Sequence, residues 1–484
     1  MNAASLLFLG FIPGMVAALL AVFLKKKPRV SRLLAALSLG VSAAAMAAMA
    51  MSALSGPLQV VYPWVPMWNV SFGLRVDALS GFIGATVAFL GFVDVLYSYG
   101  YADASEVGSA FYGWMALFVS AMIGVVMSTD LIQFYFLWEL MLIPSSALIV
   151  YWGTGESPEN PGLKYFIITH VGAVMILISF LWMMNLTGTS DLYLLADRLK
   201  SVPASSLKIM AGLLAAGFAV KMAIVPFHIW LPDAHSEAPL PVSVMLSAVM
   251  MDMGIYGMMR FLVSVFPREV LLYYSLPLMI FGVISQWYGG IEALGQTQMK
   301  RVAAYSTISQ MGYVLFGIGS EQVAGLSGSV FHVLNHGLAK ALLFMTIGSV
   351  IHSTGAHDLD EVGGLAKKMP VTALLGIVAA FALSGAPPMG AFHSEWRIFE
   401  GGFEAGRIVV TSLSVACSVL TAFYVLNLII KMFFGPLVGR EDIRESNWGM
   451  LGAMSFLALA SLLVGIFPGA LSQMVEAAVR VLGI

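Results

Sequence analysis

The sequence predicts an all-α integral membrane protein with about fourteen transmembrane helices, two of them broken in mid-span. Three observations lead there. Of the 484 residues, 59% are hydrophobic and only 10% charged, and the mean hydropathy is +0.89, a balance that no soluble domain of this length approaches. Apolar runs near the ~20 residues that a bilayer demands recur from end to end. Two of these runs carry prolines near the middle, Pro226 with Pro232 and Pro387 with Pro388. Each ring removes a backbone donor and disfavours helix in the residue before it.

In chain order the expected spans are 2–24, 33–54, 77–99, 108–128, 131–152, 163–187, 207–231, 241–264, 270–293, 302–319, 328–353, 371–401, 408–434 and 449–471. The first is as long as a full span and lacks a cleavable "AxA" end, so it reads as helix one and not as a signal peptide. Residues 56–77, "GPLQVVYPWVPMWNVSFGLRVD", are too broken for a helix and alternate like a strand, which predicts a capping hairpin on one membrane face. The tail 472–484 reads as a short amphipathic helix. The two breaks lie five spans apart, which suggests two inverted five-helix repeats, 108–264 (spans four to eight) and 270–434 (spans nine to thirteen). Residues 1–107, with the first three spans and the hairpin, and 449–484, with span fourteen and the tail, flank them.

Composition excludes several classes of function. The single cysteine, Cys417, falls in an apolar run, so no disulfide framework and no thiolate-held cluster or zinc site is expected, and no cofactor in this chain. A net charge of -2 gives no footprint for nucleic acid. The strongest basic cluster, Lys25, Lys26, Lys27, Arg29 and Arg32, reads as cytoplasmic. That choice puts Lys164, Lys300, Arg301, Lys367, Lys368, Lys431, Arg440 and Arg444 inside. The smaller set Arg75, Arg198, Lys200, Lys208, Arg260, Arg268, Arg407 and Arg480 falls outside, and so does the N-terminus.

Ionisable side chains within membrane spans cost roughly 2.5 to 3.5 kcal/mol on insertion scales and are functional candidates by default. Five stand out: Glu139 in span five, Lys221 in span seven, Asp252 in span eight, Lys340 in span eleven and Glu395 in span twelve. A buried Lys and Glu can pair merely to lock helices together. Five such groups through one chain argue against that, because each recovers its desolvation cost only with excellent geometry. Span eleven, "FHVLNHGLAKALLF", places His332, His336 and Lys340 at i, i+4 and i+8, a stripe about 12 Å long that can hold a file of waters, with Asn335 beside it. A metal reading of the two histidines is weaker, since no HExxH glutamate follows and the next turn supplies a lysine. In "AVKMAIVPFHIWLPDAHSEAPLP" (219–241) the helix should break just after Lys221, which leaves it able to change protonation state with water in reach, while His228 and His235 fall inside the broken segment. "ALSGAPPMGAFHSEWRIFEGG" repeats the device, with His393 and Glu395 just past the prolines. Glu292, Glu400 and Asp94 sit near span ends and read as interfacial.

"FYFLWELMLIPSSALI", "KMAIVPFHIWLPDAHSEAP", "KRVAAYSTISQMGYV" and "NHGLAKALLF" resemble, in order and spacing, signature segments of the antiporter-like subunits shared by respiratory complex I, Mrp-type cation/proton antiporters and membrane-bound hydrogenases. The resemblance covers roughly residues 70–430. "HSEWRIFEGGF", with a glutamate at 395, resembles the M-type subunit of complex I, as does the absence of a long lateral helix. The resemblance implies that Glu139 and Lys221 are the family's span-five glutamate and span-seven lysine, Lys340 the span-eleven lysine of the Mrp and hydrogenase branches, and Glu395 the terminal span-twelve residue. Three departures mix the branches. Asp252 stands where a span-eight lysine is usual, Gln310 where the M type often has histidine, and Lys340 is Mrp-like. Asp252 could anchor Lys221 from the far side, bind sodium, or mark altered pumping.

The expected function is that of a proton (or sodium) translocating subunit of a redox-driven pump in a prokaryotic plasma membrane. It would have no redox centre of its own and would be partnered by other antiporter-like and small membrane subunits, by peripheral redox subunits indirectly, and by the lipid bilayer. A Mrp-type antiporter subunit is the second reading, and a membrane scaffold with an inactivated ion path the third. A solute transporter fits less well, because the polar groups form a line and not one enclosed pocket.

Overall fold

The computed structural model of the chain describes residues 3–68, 70–154, 157–438 and 442–483. The chain opens with α1 (Ala3–Phe23) and α2 (Pro28–Ser52), then a hairpin of β1 (Leu58–Val65) and β2 (Val70–Val76). Next come α3 (Ala78–Tyr101), α4 (Ala104–Met127), α5 (Leu131–Trp152), α6 (Glu159–Thr187) and the short α7 (Leu195–Leu199). The first broken span is α8 (Ala204–Lys221) with α9 (Leu231–Glu237). After it, α10 (Leu240–Met245) and α11 (Met251–Gly257) are joined by a π-helical stretch, Leu246–Met250, and followed by another, Met258–Val263. Then follow α12 (Arg268–Gly295), α13 (Met299–Ser320) and α14 (Val323–Thr354); the second broken span, α15 (Pro370–Leu383) with α16 (Gly390–Glu404); and α17 (Ile408–Phe433), α18 (Trp448–Ile466) and α19 (Gly469–Arg480).

Among the described residues, twelve helices are long and apolar enough to cross a membrane. The two remaining expected spans take other forms. Over 302–319 lies α13, buried throughout but too polar to join that set, and 371–401 is split between α15 and α16. A count of fourteen treats these two as crossings as well. The expected hairpin over 56–77 is present as an antiparallel pair with Leu58 opposite Val76 and Val61 opposite Gly73. It is fastened to the start of α5, where the Gln133 side chain donates to Gly73 O at 2.8 Å and accepts from Gly73 N at 2.9 Å. The tail forms α19.

Burial is inverted relative to a soluble protein. Leu19, Phe23, Leu37, Ile167, Val419 and Phe423 on the outer helices are exposed, whereas Lys221, His235, Asp252, Arg260 and Lys340 are at most 2% exposed. The Leu240–Val263 rod is wholly buried and α14 nearly so, so the polar side chains face one another inside the bundle. This is the arrangement that a hydrocarbon solvent imposes.

Two ion-pair sites tie distant segments together. Asp77 caps the N-terminus of α3, accepting from Ser80 N in a capping box, and also takes the Arg260 guanidinium at 2.7 Å, with both side chains buried. Arg260, which the sequence places at the outer end of span eight, lies on the last π-helical turn of the rod, where its long side chain reaches back to α3. Arg440, which the sequence places on the cytoplasmic side, lies outside the described residues. The second site is Asp233 on α9, outside the twelve spans, which accepts from Lys164 at 2.7 Å and from Arg301 at 2.9 Å. Burial works to raise this carboxyl, but hydrogen bonds and charge from Lys164 and Arg301 outweigh it and hold the group below the usual aspartate value.

Removing one member of the buried pair leaves the other uncompensated. Arg260→Ala or Asp77→Ala should each cost about 3–5 kcal/mol in detergent unfolding, and the double change to apolar residues less than the two singles combined. Because the Asp233 carboxyl is depressed in the fold, its contribution is complete above the unfolded value of about 3.9 and is lost as pH falls through the lower folded value. Asp233→Asn should therefore cost about 1 kcal/mol in thermal unfolding at neutral pH, and the difference should vanish in strong acid.

Candidate functional site

The first break begins where α8 ends, at Lys221 itself. Ala223 then takes a left-handed φ of 52° and the Val225–Pro226 bond is cis. The interrupted ladder is satisfied locally: Trp230 Nε1 donates to Val220 O at 3.1 Å, and Val225 N donates to Ser285 Oγ at 3.0 Å. Protein groups thus close the backbone opened by the break. Lys221 occupies the last turn of α8, where the negative end of the helix dipole favours a cation. Its Nζ lies 5.7 Å from the Tyr165 ring centroid and 5.8 Å from that of Trp138, and among the described residues no carboxylate is within ion-pair distance.

Glu139 is not enclosed in the bundle. Its side chain is 22% exposed, and Oε2 accepts from His170 Nδ1 on α6 at 3.0 Å. Its bonded partner is thus a histidine that the sequence analysis did not single out, while its charge still reaches Lys221. A histidine 31 residues away on the next helix carried no local signal.

Asp252 is the second residue of α11, just past a π-helical stretch, an irregularity that often marks functional positions. It is fully buried, and neither carboxyl oxygen has a partner, so it does not anchor Lys221 as one reading allowed. Asp94 overturns its assignment to the interface: it too is fully buried with both oxygens unpartnered. Leu90, Asp94 and Tyr97 share one face of α3. A side chain on Gly337 would meet Leu90, and the Tyr97 hydroxyl donates to Met345 O at 2.9 Å. Asp94 therefore lies on the α3 face turned toward the part of α14 that carries Lys340. Glu292 is half-buried and Glu400 exposed.

The second half of the site holds more hydrogen bonds, but neither ring nitrogen of His336 has a partner. Lys340 donates to Ala303 O at 3.0 Å and to Ser306 Oγ. Thr307 on the same turn of α13 also donates to Ala303 O, and its hydroxyl lies 2.7 Å from Ser247 on the rod. The His332 and His336 rings stack at 5.9 Å. His332 Nε2 donates to Gln310 Oε1 at 2.8 Å, and Nδ1 lies 3.0 Å from Ser394 Oγ. The stripe thus meets the second broken span through Ser394, while Gln310 Nε2 and Glu395 Oε1 are buried without a hydrogen-bond partner. Asn335 donates to Gly390 O at 3.0 Å and to Ser394. Glu395 is 5% exposed and packs against Gly385 (φ 63°), where any side chain would strike the carboxylate.

The other expected residues are less engaged. His228, on the first break, packs edge-on against Tyr288 at 4.6 Å. His235 stacks on Phe344 at 5.0 Å with neither nitrogen partnered and has Lys300 and Lys340 in electrostatic reach. Lys300 is itself buried and donates to Ser236 O and Ala238 O at the end of α9. Around it a cavity of about 440 Å³ is lined by Asp233, Glu237, Arg301 and His357 among others. His393 is half-buried and bonds Gly465 O at 3.0 Å. Among the described residues, no group of three or more His, Cys, Asp or Glu could hold a metal ion.

Residues 128–421 match a family described as "NADH:quinone oxidoreductase/Mrp antiporter, TM". An NAD(P)H-quinone oxidoreductase chain 4 from Thermosynechococcus vestitus is 34% identical over 425 residues, 85% of this chain and 78% of that one. A Na(+)/H(+) antiporter subunit A1 from Staphylococcus haemolyticus is 33% identical over 85% of this chain and 54% of the relative. The fold matches a chain of an archaeal respiratory membrane complex, the membrane-bound sulfane sulfur reductase, with a TM-score of 0.89 at 24% identity over 98% of this chain and 77% of that one. The chain therefore belongs to the family of proton-antiporter-like membrane subunits shared by NADH:quinone oxidoreductases and Mrp antiporters.

Proposed function

We propose that this antiporter-like subunit translocates protons within a redox-driven pump, relaying them through Glu139, Lys221, His228, His235, Asp252, His332, His336, Lys340 and Glu395. The observation that carries the reading is the buried row of Lys340 and stacked His336 and His332 on α14, with His332 hydrogen-bonded to Gln310 and to Ser394, the neighbour of Glu395. It is a line of exchangeable groups buried in a bundle that is apolar outside.

The driving step acts on Glu139 and Lys221. A carboxylate about 4 Å from the ammonium would stabilise its charged form by about 4 kcal/mol at an effective dielectric of 20. Withdrawing the carboxylate removes most of that and frees the proton. It then passes beside the rod, where Ser247 and Thr307 join span eight to the carbonyl that holds Lys340, and leaves past Glu395. In this reading the chain needs no cofactor of its own. The withdrawing force comes from neighbours: other antiporter-like and small membrane subunits, linked to peripheral redox subunits. The host is a prokaryotic plasma membrane with the N-terminus outside, as the basic cluster at 25–32 favours. Segments 108–264 and 270–434 act as two inverted repeats, each with one broken span. A Mrp-type antiporter subunit is the second reading, favoured by the Staphylococcus relative; ion flux that depends on a reduced substrate separates the two, and a sodium requirement would identify the carried ion.

Lys221→Ala or Glu139→Ala should lower coupled translocation in vesicles of the assembled complex by about a hundred-fold while leaving electron transfer measurable; unchanged pumping refutes the relay. Gln310→Leu should lower it by about ten-fold, the equivalent of one lost buried hydrogen bond, whereas Gln310→His, which restores a proton-carrying ring, should retain most of it.

A further inference from the structure

Glu139 occupies a boundary. Its Oε2 points outward to His170 at 3.0 Å, with the two side chains 22% and 45% exposed, while Oε1 is buried without a hydrogen-bond partner. Behind it Lys221 is buried, with the faces of Trp138 and Tyr165 near its Nζ and Glu139 itself in electrostatic reach. The carboxylate therefore stands between two basic partners, one at the bundle surface and one inside, and has engaged the outer one. The His170 ring is held in place by stacking on Phe166 at 5.8 Å and 6°. The other titratable groups facing this pair are Tyr135 from α5, which interacts with the carboxylate, Tyr165 from α6 and Lys221 from α8. Tyr165 is already engaged, 2.7 Å from Ser145 Oγ and 3.1 Å from Met250 Sδ. Asp233 on α9 is taken by Lys164 and Arg301.

We propose that His170 is a positioning residue of the relay, a competing partner that captures Glu139 at the bundle surface and so withdraws it from Lys221. Carrying its proton, the imidazolium holds the carboxylate outward and Lys221 loses its counter-charge. Once the imidazole gives that proton back to water, the carboxylate is free to turn inward and pair with Lys221. The proton that His170 exchanges is separate from the one that Lys221 passes on, so His170 sets when the transfer happens and is not on its path. Histidine suits this role because its charge changes within the physiological pH range, and the pair lies at the surface of the bundle. The inference rests on the relay proposed above.

The test uses vesicles of the assembled complex and measures translocation per substrate turnover across the pH range in which histidine changes charge. His170→Gln should lower translocation about ten-fold, the ratio of one pKa unit, and flatten its pH profile. His170→Lys, with a fixed charge, should hold Glu139 outward at every pH and also give a low, flat profile. If His170→Gln matches the unaltered complex in rate and profile while Lys221→Ala is inactive, the His170 inference falls and the relay stands; if Lys221→Ala pumps normally, both fall. Should the His170 variants fail to assemble, the infrared carboxylate band of the unaltered complex that disappears in Glu139→Gln should shift with pH as histidine titrates. A band that does not move overturns the proposal.

Discussion

A polar or charged side chain carried into hydrocarbon must find its partner inside the bundle, and the rest of this structure is arranged around that constraint. It explains why the outer helices present leucine, valine and phenylalanine while α13, α14 and the 240–263 rod are buried with lysine, histidine, aspartate and arginine among them. Each cation is met differently. Arg260 has a carboxylate, Lys300 and Lys340 have backbone carbonyls, and Lys221 has a helix C-terminus and two aromatic faces. A cation held by carbonyls has fixed partners on the neighbouring backbone. Lys221 is set apart because, among the described residues, it has no ion-pair partner and meets a helix C-terminus, two ring faces and the more distant charge of Glu139.

The two broken spans use the same proline chemistry to different ends. At the first, the break leaves Lys221 as the last helical residue, and the Trp230 indole and Ser285 close the opened backbone. At the second, the turn at Gly385 brings the backbone against Glu395, and the helix that follows places Ser394 beside His332. One break presents a base at a helix end, and the other presents an acid against the histidine stripe. Between them α13 and α14 supply the connecting groups, so the site belongs to no single helix.

Much of the architecture was legible from residue pattern. Apolar runs of bilayer length, the alternation in 56–77, the prolines at 226 and 387 and the amphipathic tail all depend on short-range chemistry, and the elements at those positions appear with boundaries shifted by a few residues. Family membership was legible too, because "WLPDAH" and its companion segments are local words. The pairings were not. His170 for Glu139, Arg260 for Asp77 and Gln310 for His332 join residues 22 to 183 positions apart, and nothing in a helical period says which neighbour a given face meets. Asp94 was misassigned for the same reason: its place near the end of a span suggested an interface, but α3 leans against α14 there and buries it.

The sequence by itself therefore determined that this chain lives in a bilayer, where its helices break, and which ionisable residues have to be sheltered from lipid, since hydropathy, proline geometry and the cost of bare charge act residue by residue. Only the tertiary structure decided which of those groups touch: that Glu139 looks out to His170, that Lys221 lies between two ring faces, and that His332 bonds Gln310 and Ser394. Helix packing sets the rotation and depth of each span, and side-chain partners are chosen at ångström range by faces that no single segment can specify.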